Sequence, residues 1–174
     1  MPNMTGLKIE RKNGESAADS SSELLSGLQQ RLLRAVTADK DKGSTIAAIA
    51  QAVAQTTGAT TMVYLSRDET GRWEQAKVLP GSRQPLSADL NNELLAWCDD
   101  ACRHGSVQIN TYGAQFEGIA VTVPILLKGA PPEAFATIYR QATQPVDRLV
   151  VVHQLIAAHV ALWHVLCDTK RAEF

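Results

Sequence analysis

The residues best suited to chemistry are Cys98 and Cys102, one helical turn apart in "AWCDDACRHG", with His104 just beyond them. Two thiols and an imidazole at such spacing could form a redox pair or half of a metal site. Zinc needs four ligands converging tetrahedrally, usually with a second Cys or His pair elsewhere. The remaining cysteine, Cys167, does have His164 one turn before it. A simpler reading is packing: Cys98 and Cys102 share an apolar helix face with Leu94 and Ala101, and a buried cysteine behaves as a small hydrophobe. Asp99 and Asp100 also disfavour the thiolate that nucleophilic attack requires. No metal site and no catalytic residue are therefore expected, and a thiol enzyme using Cys98 and Cys102 is kept as an alternative. No Ser-His-Asp order, phosphate-cradling glycine loop or acid pair stands out.

The last segment, "VVHQLIAAHVALWHVLCDTKRAEF", carries His153, His159 and His164. On a wheel of about 100° per residue, His153 and His164 share a face with Gln154, Ala157, Ala161 and Asp168. His159 points into an arc with Leu155, Leu162, Trp163 and Leu166. The three imidazoles do not converge, and His159 is expected to be a hydrogen-bonded histidine at a packed interface. The segment approaches membrane-spanning length, but three histidines and a glutamine interrupt it and no basic flank precedes it. A helix buried on two sides in water is the better account, with no membrane insertion.

Aromatic residues make up only 5% of the chain. Tyr64, Trp73, Trp97, Tyr112 and Phe116, with Cys98, are the candidates for lining a ligand pocket; Arg103 and Arg140 are simplest as solvated charges.

These side chains need elements to hold them. The chain has 174 residues, 45% hydrophobic and 20% charged, with 17 basic and 18 acidic residues. That suits one soluble domain and gives no basic footprint for nucleic acid. An odd cysteine count and no apolar leader point to reduced thiols in the cytoplasm. Residues 1–21 are polar and read as a flexible leader. A helix with Leu25, Leu28, Leu32 and Val36 follows, with Ser20 to Ser22 offering caps. A second, "KDKGSTIAAIAQAVAQTTG", is capped by Ser44 or Thr45 and stopped by Gly58. "TTMVYLSR" and "RWEQAKVL" form a hairpin around "DETG". A helix from Ala88 to about Arg103, a short strand "GSVQI", a loop "NTYGAQFEG" and a strand pair around "APPE" come next. Pro124 lies within the first strand of that pair, so its nitrogen must face an edge, a bulge or a ligand. Pro145 starts the last helix. Connections this short require a mostly antiparallel sheet. The expected fold is α+β, with about 5–6 strands, the terminal helices on one face and a pocket-side helix on the other.

This order and these strings resemble the GAF family of small-molecule sensor domains over residues 24–166. "TGATTMVYLSRDETGRW" is similar to the first GAF hairpin, and "LLAWCDDACRHGSVQI" to the helix and short strand after it. "GIAVTVPILLKGAPPEAFATIYR" resembles the hairpin whose first strand ends in Pro and an aliphatic residue. "VDRLVVVHQLIAAHVALWH" resembles the closing helix. The resemblance implies a non-catalytic sensory or regulatory domain over residues 22–168, with residues 169–174 a linker or a continuing helix. It implies a pocket between the sheet and the elements of residues 88–117. The Asn-Lys-Phe-Asp-Glu set of cyclic-nucleotide binders, the bilin cysteine and the glycine-flanked cysteines of free methionine sulfoxide reductases have no counterpart here, so no cofactor is specified. The expected partner is a second copy, through Leu25, Leu28, Leu32, His159, Leu162, Trp163 and Leu166, and a small molecule is a second partner. The chain then reads as the N-terminal part of a larger signalling or secretion-related protein. A ligand-free interaction domain is the alternative.

Overall fold

The computed structural model of the chain describes residues 5–74, 77–79, 86–113, 118–140 and 144–173. Helices α1 (Thr5–Thr37) and α2 (Lys42–Thr57) precede strands β1 (Thr61–Leu65) and β2 (Lys77–Val78). Helix α3 (Ala88–His104), strands β3 (Gln108–Tyr112), β4 (Gly118–Ile125) and β5 (Glu133–Tyr139), and helix α4 (Val146–Ala172) complete the chain.

Local chemistry sets most of the boundaries. Gly58 and Gly105 end α2 and α3 in the left-handed region, at φ 74° and 65°, each N–H donating back to a helix carbonyl. Ser87 caps α3, its Oγ accepting from the Leu90 N–H. Helix α2 is capped by Asp41, not by Ser44 or Thr45: the Ser44 N–H donates to Asp41 Oδ1 at 2.8 Å. A carboxylate at this position satisfies a free N–H and meets the positive end of the helix dipole. That hydrogen bond also holds the Asp41 carboxyl below the ordinary range.

Helix α1 begins at Thr5, within the stretch 1–21 expected as a flexible leader. Once Leu28 and Leu32 anchor the helix, extension adds one hydrogen bond per residue fixed, and poor helix formers can follow. Ser20 to Ser22 therefore lie inside α1 instead of capping it. Ser21 Oγ accepts from Arg148 Nη2 of α4 at 2.7 Å.

The five strands form one antiparallel sheet in the order β2-β1-β5-β4-β3. Period-two alternation along the strands divides its side chains between two faces. Met62, Tyr64, Val123, Ile125 and Phe135 pack against α1, α2 and α4, forming the main core with Leu28, Leu32, Ile49, Val53, Val152 and Ile156. Val63, Leu65, Ala134 and Ala136 face α3, where Leu94 and Cys98 are buried. The small alanines let α3 approach closely. The α+β expectation, with terminal helices on one face and a single helix on the other, is met.

Part of the "NTYGAQFEG" loop is strand, since β3 continues to Tyr112 and pairs there with Gly118. Beyond Thr122, β4 is paired on one flank only, with β5. Pro124 sits in that one-sided stretch, where a missing N–H need not break a ladder.

Candidate functional site

The expected pocket residues are divided between the two faces. Trp73 and Trp97 pack beside Cys98 on the α3 face. Trp73 is tied into a local cluster: its Nε1–H donates to Asp99 Oδ1 at 2.7 Å, and the Arg67 guanidinium lies 3.8 Å from its ring centroid. Arg67 also donates to the Gly71 carbonyl at 2.9 Å and pairs with Asp99 at 3.3 Å. These bonds bind the tip of the first hairpin to α3. Tyr112 lies over Gly118, whose absent Cβ leaves room for the ring. Phe116 falls outside the described residues. Tyr64 is on the opposite face, in the main core, with Lys42 Nζ 5.3 Å from its ring centroid.

A cavity of about 390 Å³ lies on that second face, beneath the turn joining β4 to β5 and beside the last turns of α4. Leu126, Leu127, Pro131 and Ala161 supply apolar walls, while Glu133, His164 and Asp168 supply polar ones. Glu133 opens β5 and shares the face of Phe135, which turns its carboxyl toward α2 and α4. Lys42 Nζ, in the first turn of α2, donates to Glu133 Oε1 at 2.7 Å. His164 Nε2 lies 3.7 Å from the same oxygen, an ion pair only when the imidazole is protonated. Burial would raise the Glu133 pKa, but His164 and Lys42 outweigh it and hold the carboxyl below its ordinary value. Its side chain is only 9% exposed, and Oε2 has no hydrogen-bond partner among the described residues. An unpaired buried acceptor is costly unless a ligand or water answers it. A second cleft, of about 340 Å³, continues along α4 past Pro124 and shares Leu126 and Ala161 with the first.

Sequence reading passed over Glu133 and Lys42. The available signal was a lone carboxylate at the head of an otherwise apolar strand, "EAFATIY", directly after two prolines. Lys42 could not be linked to it, because the pairing spans 91 residues of chain.

The histidines separate as expected, with different roles. His153 is fully buried: its Nδ1–H donates to the Leu149 carbonyl at 2.7 Å, so Nε2 accepts from the Thr137 hydroxyl of β5. Burial drives its pKa down to about 4, so it is a neutral core residue. His159 bonds its own helix through Nδ1 and the Leu155 carbonyl at 2.7 Å.

Cys98 is buried, and burial pushes its thiol far above the ordinary range; Cys102 is raised for the same reason. A protonated thiol is a poor nucleophile. All three cysteines are unpaired, and among the described residues no group of His, Cys, Asp or Glu could hold a metal ion.

Two layers of helix around a five-stranded antiparallel sheet in this order define the GAF fold. The GAF domain of A. aeolicus Nlh2 in an inactive state is similar, at a TM-score of 0.57 and 7% identity, over 84% of this chain and 98% of that one. So is the GAF domain of a Pseudomonas syringae pv. tomato protein described as a sensor histidine kinase, at 0.53 and 11%, over 94% and 99%. A segment of a methyl-accepting chemotaxis protein superposes at 0.54 and 13% identity, over 84% and 99%. No protein-family model and no curated protein sequence matches the chain.

Proposed function

We propose that the chain is a non-catalytic regulatory domain of the GAF type that works as a homodimer joined along α4, in a cytoplasmic setting within a larger signalling or secretion-related protein. One observation carries the dimer. Helix α4 buries Leu149, Val152, His153, Ile156, His159 and Val160 on its own domain. Its opposite side presents Val151, Ala158, Leu162, Val165 and Thr169, with the half-buried Leu155, which also packs on the core, completing a spacing alternately four and three residues apart. That is the a/d repeat of a two-helix seam, and such a seam is self-complementary. Leu162 is 36% exposed and Val165 58% exposed in the single chain.

The seam revises the expected interface. Leu28, Leu32 and His159 are covered within one chain, so they hold α1 and α4 on the core and are not free to meet a partner. Leu162 is on the seam and Leu166 beside it, whereas Leu25 and Trp163 pack mainly on the core. α4 is long and apolar enough to cross a membrane, yet in this fold its buried face and the His153–Thr137 bond hold it to the sheet. The sensory reading is supported by the neighbours of the same fold, among them a sensor-kinase domain and a chemotaxis-receptor segment.

Sedimentation velocity tests the dimer. The wild-type chain should sediment as a dimer at micromolar concentration, and Leu162→Lys with Val165→Lys should give a folded monomer. A wild-type monomer at 100 μM, about a hundredfold above that range, would overturn the reading.

A further inference from the structure

We propose that the cavity beneath the β4–β5 turn binds a small organic molecule carrying a primary ammonium group, received by Glu133 at the cavity's inner end. This names a site and a ligand class for the sensory reading above, on which its regulatory meaning rests. The site lies on the α2/α4 side of the sheet, and its rim reaches Arg67, which is tied to Trp73 and to Asp99 of α3.

Three observations converge. First, the cavity volume of about 390 Å³ falls within the range of small-molecule sites, and apolar side chains form much of its wall. Second, the Glu133 side chain lines the cavity while only 9% exposed, and only one of its oxygens is occupied. Oε2 is an acceptor without a donor, and His164 Nε2, also on the cavity wall, is likewise unpartnered by hydrogen bonding. Third, the charges select the ligand's sign. The Arg67 guanidinium at the rim is already committed to Asp99, the Gly71 carbonyl and the Trp73 ring. Asp168 and Lys128, both exposed at the same rim, offset one another, so the sign is set by the buried Glu133 carboxylate. An ammonium would supply the donor that Oε2 lacks. A carboxylate ligand would instead place like charge against a buried carboxylate. Ala161, His164 and Asp168 of α4 line the cavity together with Val165, which also belongs to the exposed seam, so an occupied cavity bears directly on the helix that the seam uses.

The test uses the full chain labelled with ¹⁵N and titrated separately with n-butylammonium chloride, n-butanol and sodium butyrate. Butylammonium should shift the amides of residues 126–133 and 161–168 saturably, with a Kd on the order of 1–10 mM for so small a probe. Glu133→Gln should weaken it about tenfold by removing the charge on the acceptor. Ala161→Leu should abolish it by filling the cavity while leaving the Lys42–Glu133 pair intact, and it decides the matter if Glu133→Gln does not fold. Equal responses to butanol or butyrate, shifts confined to other regions, or no saturation would overturn the site. Sedimentation of the same samples separates the two readings: a monomer that binds the amine removes the dimer alone, and a dimer that does not bind it removes the site alone.

Discussion

His153 shows how one side chain can set the acid limit of a fold. Its neutral tautomer is fixed by the Leu149 carbonyl and the Thr137 hydroxyl, and protonation would put a second donor where a hydroxyl already donates. The ordinary value of 6.5 falls to about 4 on folding. The unfolded chain therefore takes up a proton first, so the stabilisation is complete above pH 6.5 and is lost as pH falls toward 4. The size is ~3 kcal/mol. Glu133 acts in the same direction at lower pH, since its folded carboxyl is held below the ordinary range. Urea denaturation at pH 7.5, 5.5 and 4.5 should show a progressive fall in midpoint. A flat profile would contradict the neutral buried histidine. Thr137→Val leaves Nε2 unpaired and should cost ~1–3 kcal/mol at neutral pH.

Among the elements, the β3–β4 pair depends on a glycine for space. A Cβ at Gly118 would lie 2.3 Å from the Tyr112 hydroxyl oxygen and 2.5 Å from the Tyr139 carbonyl oxygen. The tyrosine ring can swing aside, but the carbonyl belongs to the central β5 backbone and cannot. Gly118→Ala should therefore destabilise the domain by ~1–3 kcal/mol through overpacking. Gly118→Ala combined with Tyr112→Ala should recover only part of that loss, and chemical denaturation of the two variants measures the difference. Full recovery would place the whole clash on the phenol. Helix α4 illustrates the complementary point. Its apolar residues run round most of the wheel, because one side covers the sheet and another forms the exposed seam. A histidine in such a helix says little about function until its neighbours across space are known: His153 meets β5, while His164 meets Glu133.

For the whole molecule, the proposed seam along α4 would tie stability to concentration. If the dimer is the folded unit, raising the protein concentration about tenfold should raise Tm by a few degrees, as mass action requires. Leu162→Lys with Val165→Lys should remove that dependence, and differential scanning calorimetry at two concentrations checks both. The arrangement also places the Glu133 cavity and the seam on neighbouring sides of one helix, while α3 covers the other face of the sheet. A ligand in the cavity would press on α4 and would also meet Arg67, which is tied to Asp99 of α3.

The layer architecture was legible in the sequence because periodicity and turn chemistry are local. Leu94, Cys98 and Ala101 repeat at helical spacing, Gly58 stops a helix in the left-handed region, and alternating apolar runs define the strands. Those patterns were enough to place α3 alone on one face and to disperse the three histidines of α4. Only the tertiary structure decided which apolar residues are core and which stay exposed, since Leu28 and Leu162 look alike along the chain. It likewise moved Tyr64 to the face opposite Trp97 and brought Lys42, Glu133 and His164 from three separate elements to one cavity. The physical reason is range. A cap or a turn is satisfied within a few residues, whereas a buried carboxylate takes its partners from wherever the sheet register and helix packing bring them.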